Sequence, residues 1–135
     1  MEFSVKVIGR VHSPLRDRAM APKQGEEGSP PALLVFDPGV RDALSSIKVG
    51  DRLLLFTWLD RAERDVLRVH PRDDRTQPLH GVFSTRSPDR PNPIGLHRVT
   101  VVSIPDALRL QVRDLEALDQ TPIIDVKATL AGLSE

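Results

Sequence analysis

Arg86, Asp89, Arg90 and Asn92 stand close together, interleaved with Pro88, Pro91 and Pro93, inside the run Gly81-Val-Phe-Ser-Thr-Arg86-Ser-Pro-Asp-Arg90-Pro-Asn92-Pro-Ile-Gly95-Leu. Each proline fixes its own φ and pushes the residue before it toward extended geometry. The segment is therefore stiff, and it holds two permanent cations and an amide in set directions. Guanidinium groups suit planar, bidentate contacts to phosphate or carboxylate. A stiff, polar loop between apolar stretches is a place where a site can be mounted on a scaffold. The same residues also read as a proline-braced connection whose arginines only solvate it. A second cluster, Asp114, Glu116, Asp119 and Asp125, lies within twelve residues. Carboxylates there can orient a cationic ligand or act as general bases, or they can pair with arginines and cap turns. Thr121-Pro122 favours a turn, so Asp119 reads first as a turn-capping residue. Asp125 is open between the two roles.

Other chemistries lack their residues. There is no cysteine, which removes disulfides, thiolate metal sites and cysteine nucleophiles. No G-x-G-x-x-G follows a strand pattern, and there is no P-loop. The four histidines lack close paired spacing, so no metal is expected. His12, in His12-Ser13-Pro14, reads as a turn or rim residue. Ser13, Ser84 and Ser87 have no nucleophile-elbow context.

The elements that must position these groups read mostly as strands. Phe3, Val5 and Val7 alternate with Ser4 and Lys6, predicting a first strand before Gly9. Ala32 to Phe36 is a short apolar run. Asp37-Pro38 looks like an N-cap with proline at the first helical position, and Val40, Leu44 and Ile47 continue a helical face toward Gly50. Leu53 to Leu59 predicts a buried strand. Val66 to Val69, Leu79 to Thr85 and Leu96 to Ile104 are further strands, and Pro105-Asp106 reads as a turn. Leu108, Leu110 and Val112 alternate with polar residues, and Ile123 to Val126 ends the series. Many short strands with one short helix predict a mainly β chain, a barrel or sandwich, and exclude a doubly wound sheet. At 135 residues the length suits a single domain. Net charge is zero, but Arg61 to Arg98 holds eight arginines against five acidic residues. This basic sector is compatible with a nucleic-acid partner and equally with a solvated surface. No run is long and apolar enough for a membrane span, and the N-terminus lacks a signal-peptide pattern. A soluble cytoplasmic protein is the default expectation. Ala21 to Pro31, rich in glycine and proline, could cover a site.

The phrase from Gly81 to Leu96 resembles the signature of the TrmO-type (TsaA-like, YaeB-like) tRNA methyltransferases. Ile8-Gly9 with His12-Ser13-Pro14, Pro22-Lys23-Gln24, and the D-x-T-P-hydrophobic-hydrophobic-D-hydrophobic-K pattern from Asp119 to Lys127 resemble the family as well. The resemblance implies a small closed or nearly closed β-barrel over 1–135, without an extra C-terminal domain, that binds S-adenosylmethionine outside any Rossmann sheet. It implies methylation of the exocyclic nitrogen of threonylcarbamoyl-adenosine beside the tRNA anticodon, by a homodimer that needs no metal. It further implies that Pro22, Lys23, Gln24, Arg86, Leu96, Arg113, Asp114, Leu115 and Glu116 contact the cofactor. Arg90, His70 and Arg72 would face the substrate, with Arg90 and Asn92 otherwise fixing the loop. Asp119, Asp125 and Asn92 are the candidate catalytic groups. Three positions depart from the family. Members often carry an aromatic followed by histidine near the end of the strand that here reads Phe56-Thr-Trp58-Leu59-Asp60; Leu59 cannot make a side-chain hydrogen bond, so one cofactor contact is either absent or remade by Asp60. Gln120 stands where glycine is common, and is less tolerant of positive φ. Lys127-Ala128-Thr129 replaces a K-P-Y ending. These departures keep open an alternative: a cofactor-binding module that does not methylate tRNA, or a methyltransferase acting on another small substrate.

Overall fold

The computed structural model describes residues 1–15 and 31–130. The strands are β1 (Gly9–His12), β2 (Ala32–Phe36), β3 (Arg52–Trp58), β4 (Arg68–Val69), β5 (His80–Gly81), β6 (Ile94–Asp106), β7 (Arg109–Arg113) and β8 (Pro122–Ala128). Six of them close into an antiparallel barrel in the order β1-β2-β7-β6-β3-β8, and β4 and β5 form a separate two-stranded ribbon. The expected mainly β barrel is therefore what the chain builds.

The alternation of side chains along each strand decides what fills it. Val11, Leu34, Leu53, Leu55, Val99, Val101, Leu110, Val112 and Ile123 point inward and form one cluster. Closure leaves no long unpaired edge on these strands. Curvature enters at register shifts between Phe56 and Thr57 on the β3–β8 ladder and at Val101 and Ser103 on the β6–β7 ladder, where extra residues bend a strand. Gly9 allows β1 to lie tightly on β2, since a Cβ there would meet the Val35 carbonyl and Phe36 Cα.

Four local expectations need correction. Phe3 to Val7 is not a strand; Phe3 and Val5 are exposed and β1 begins at Gly9. Its alternation has no facing sheet to bury it. The segment after Asp37 forms a 3-10 helix, Pro38–Leu44, with Asp37 at the N-cap position but no side-chain cap. It is too short to repeat an apolar face, and it buries Leu44. Val66–Val69 and Leu79–Thr85 shrink to the two-residue strands of the ribbon, the second followed by a 3-10 turn at Val82–Ser84. Pro105 and Asp106 belong to the end of β6. The turn comes just after them, where Asp106 Oδ1 accepts the Leu108 N–H at 2.9 Å.

Candidate functional site

The stiff loop is built around the Arg90 side chain. Its Nε donates to the Ser87 carbonyl at 2.7 Å, and one terminal nitrogen donates to the Val82 and Thr85 carbonyls at 2.8 and 2.7 Å. A rigid fork with several donors can satisfy carbonyls that no strand partner reaches. Hydroxyls complete the curl: Ser87 N–H donates to Thr85 Oγ1 and Asp89 N–H to Ser87 Oγ. This is the loop-fixing geometry for Arg90.

The same loop is clasped by the turn that follows β3. Glu63 N–H donates to Asp89 Oδ1 at 2.9 Å, and Arg90 N–H donates to the Glu63 carbonyl at 3.0 Å. Arg64 lies over the Trp58 ring, 5.1 Å from its centroid, and donates to the Pro91 carbonyl and Asn92 Oδ1 at 2.7 and 3.0 Å. Asn92 is thus held by its side-chain oxygen. Leu59 N–H donates to the Pro93 carbonyl at 2.8 Å, joining the two segments to the start of β6.

Candidate residues then fall on two faces of the same three strands. On the outside, Phe56 of β3 pairs with Leu96 of β6 on one side and Asp125 of β8 on the other. Trp58 pairs with Ile94 beside them. Ile94 and Leu96 are both exposed, as is Asp125. Asp125 Oδ1 accepts the Val126 N–H.

On the inside, at the Leu59 end of β3, stands a polar cluster that the sequence reading missed. Thr57 and His97 are buried in the barrel at 0% and 7% exposure. Thr57 Oγ1 lies 2.8 Å from His97 Nε2, and His97 Nδ1 lies 3.0 Å from Glu116 Oε1. An ionised carboxylate only accepts, so Nδ1 carries hydrogen. In the neutral ring Nε2 then accepts from the Thr57 hydroxyl. Gly95 makes room for the arrangement, because a Cβ there would overlap Thr57 Oγ1 and sit 2.7 Å from His97 Nε2 and 3.2 Å from Leu59 Cδ2. Alternation along β6 could have shown His97 facing inward with Val99 and Val101. Nothing in the sequence pairs it with Thr57 or Glu116.

Glu116 belongs to the connection from β7 to β8, which closes this end of the barrel by burying Leu115 and Ala117 in the core. Arg113 and Asp114 at its start are exposed, with Arg113 Nε 3.6 Å from Asp114 Oδ2 and Asp114 at φ 69°. Asp119, further along, accepts the Ser13 N–H on Oδ1 at 3.0 Å, and its own N–H donates to the Leu15 carbonyl at 2.7 Å. Asp119 therefore ties the connection to the chain that follows β1. Gln120 does adopt positive φ, at 67°.

His70 and Arg72 lie on the ribbon excursion between β3 and β6. His70 Nδ1 donates to the Gln77 carbonyl at 2.8 Å, and Arg72 is exposed at φ 54°. Arg86 is exposed on the stiff loop and Asp60 on the turn after β3. Pro22, Lys23 and Gln24 lie outside the described residues. Away from these faces, the Asp74 carboxyl is held below the ordinary aspartate value chiefly by the Thr76 hydroxyl, and the Asp106 carboxyl chiefly by the Leu108 N–H and then by Arg109. Among the described residues no group of histidines and carboxylates is placed to hold a metal ion, and no helix is long and apolar enough to cross a membrane.

Residues 10–133 match the family model described as the tRNA-methyltransferase O N-terminal domain. The chain belongs to this family. Its stiff loop and its β7–β8 connection both fall inside the matched TrmO domain. A probable S-adenosyl-L-methionine-binding protein of Methanothermobacter thermautotrophicus is 42% identical over 127 residues, covering 94% of this chain and 90% of the relative. An S-adenosyl-L-methionine-binding protein of Archaeoglobus fulgidus is 40% identical over 123 residues, covering 91% and 86%. A second Archaeoglobus relative, 39% identical, is much longer, and the match spans 34% of it. Among solved structures, a TrmO from Pseudomonas aeruginosa superposes with a TM-score of 0.76 at 26% identity over 98% of this chain. This TrmO domain spans 58% of that structure's chain.

Proposed function

We propose that the chain binds S-adenosylmethionine where the Arg90-braced loop, Leu59 and the Arg113–Glu116 segment approach one another. We propose further that it transfers the methyl group to the exocyclic nitrogen of threonylcarbamoyl-adenosine beside the tRNA anticodon. The observation that carries the reading is the family phrase itself, folded into one body by Arg90 and Arg64 and continued by β6, whose His97 reaches Glu116 of the β7–β8 connection. The residues present suit the cofactor. Asp114 and Glu116 supply carboxylate acceptors for hydroxyl and ammonium groups, the exposed Leu96 supplies apolar surface, and Arg86 is an available cation. When bound, the cofactor supplies an electrophilic sulfonium methyl, so no metal is required of the protein.

The chain's own part is to orient and to exclude water. The clasp of Arg64 on Pro91 and Asn92 fixes the loop before ligand arrives. Pro22, Lys23, Gln24, Asp60 and Leu115 complete the proposed cofactor contacts. His70, Arg72 and Arg90, on or beside the arginine-rich excursion, are the proposed tRNA-facing group. Asn92 and Asp125 are the proposed groups nearest the accepting nitrogen, and Asp119 supports them by holding the connection in place. A homodimer is part of the proposal, with the exposed Ile94 on the outer face as a contact.

Leu59 favours the second reading, a domain that binds the cofactor without methylating tRNA, because it puts an apolar side chain against Gly95. Two measurements separate the readings. Calorimetry should detect S-adenosylmethionine binding to the folded protein; no heat of binding would sink both. Labelled cofactor incubated with threonylcarbamoylated tRNA should pass its label to the RNA. Binding without transfer would leave the second reading standing and reject the first.

A further inference from the structure

Thr57, His97 and Glu116 form a hydrogen-bonded series that runs from the barrel interior to its mouth, and the loop clasp makes no use of it. A buried imidazole can be accommodated simply by satisfying both ring nitrogens. This one does more, because its two partners sit in different surroundings. Thr57 is fully buried on β3. Glu116 has a side chain 27% exposed, on the connection that covers the mouth. The Nδ1–H to Oε1 bond at 3.0 Å therefore fixes a partly exposed carboxylate from inside the barrel. The Thr57 hydroxyl, 2.8 Å from Nε2, satisfies the other ring nitrogen and holds the ring in place. Glu116 follows closely on Asp114, whose positive φ turns the chain at the end of β7. A carboxylate with about four acceptor positions keeps capacity for a ligand after the imidazole has taken one.

We infer that His97 is a positioning residue for the methyl donor: acting from the barrel interior, it orients the Glu116 carboxylate toward the hydroxyl or ammonium groups of the bound cofactor. This inference rests on the proposal that the Arg113–Glu116 segment borders the cofactor. A merely space-filling histidine would tolerate any folded polar substitute of similar size equally well. A positioning histidine discriminates according to which nitrogen is retained.

His97→Asn places an amide N–H near the Nδ1 position and can keep the Glu116 bond. His97→Gln places its amide near Nε2 and loses that bond. With circular dichroism and thermal melting confirming folded protein, calorimetry should find S-adenosylmethionine bound about tenfold or more weakly by His97→Gln, the scale of a lost charge-assisted hydrogen bond. His97→Asn should stay within about threefold of the parent. In a Glu116→Gln background, His97→Gln should add no further loss. Equal affinities for the two His97 variants, or losses that multiply in the double variant, would overturn the inference while leaving cofactor binding intact. No binding by the parent protein would overturn the proposed function as well. Should His97→Gln fail to fold, nitrogen NMR of the parent decides. The His97 Nδ1–H resonance should move on titration with S-adenosylmethionine, and an unmoved resonance under saturating cofactor rejects the role.

Discussion

At the scale of single residues, the arginines in and around the stiff loop divide into braces, Arg90 and Arg64, and an exposed cation, Arg86. Arg90 donates to three carbonyls and Arg64 bridges Trp58 to the loop, so both are part of the fold. Arg86 makes a sharper probe of ligand contact. Arg61 is a poor control for it, since its guanidinium reaches the Asp119 carbonyl at 3.4 Å. Arg41 is better, because it lies at the other end of the barrel near Ile104 and Asp106. Arg86→Ala should weaken S-adenosylmethionine binding about tenfold, against less than twofold for Arg41→Ala. Calorimetric titrations with equal affinities would remove Arg86 from the site. The depressed Asp106 carboxyl gives a pH prediction with a definite sign. Its ionised form is favoured in the folded state, so its support for the β6–β7 turn is fully present above the ordinary aspartate value of 3.8 and fades as pH falls through the lower folded value. Carboxyl NMR should show Asp106 titrating below the ordinary aspartate value of 3.8, and Asp106→Asn should remove that low-pH step from the acid-unfolding profile. How far residue roles were legible follows from the same division. The phrase from Gly81 to Leu96 announced itself by its prolines and charges. Arg64, Thr57 and His97 did not, because their partners are remote in sequence and only barrel closure brings them together.

At the scale of elements, legibility followed regular alternation. β2, β3, β7 and β8 appear close to where Ala32–Phe36, Leu53–Leu59, Leu108–Val112 and Ile123–Val126 alternate or run apolar. Phe3 to Val7 alternates as well but lacks a facing strand, so local pattern alone misplaced β1. The ribbon strands were overestimated because backbone pairing there ends after two residues on each side. Gly95 is the point where an element and the site depend on one residue. Gly95→Ala would press a methyl into Thr57 and His97, and should cost about 1–3 kcal/mol. Urea unfolding would show a lower midpoint with an unchanged slope, whereas an unaltered midpoint would mean that β6 shifts freely. Gln120 works in the opposite direction. Its left-handed backbone costs about 1–2 kcal/mol, of which glycine returns all but its own backbone entropy, about 0.5–1 kcal/mol. Gln120→Gly should therefore stabilise the protein by about 0.5–1 kcal/mol, measured by the same unfolding curves; a loss of stability would show that the Gln120 side chain carries the turn.

At the scale of the whole molecule, closure of the barrel puts Thr57 and His97 inside and leaves Ile94, Leu96 and Asp125 together on the outer face of β6 and β8. Ile94, 46% accessible and paired with Trp58, stands with the exposed Leu96 on that face, where the proposed dimer would rest. Light scattering should find a dimer, and Ile94→Glu should raise its dissociation constant at least tenfold, about 1.4 kcal/mol or more. A monomeric parent at high concentration would end the dimer proposal. One feature of the clasp also gives the protein its own optical gauge. Trp58 is the sole tryptophan of the chain, and the Arg64 guanidinium stands over its ring. Its emission therefore reports, without any label, whether the cation is seated there. A ligand that tightens or loosens the clasp will change the colour and intensity of that one fluorophore, so occupancy of the loop can be followed in real time on the native protein.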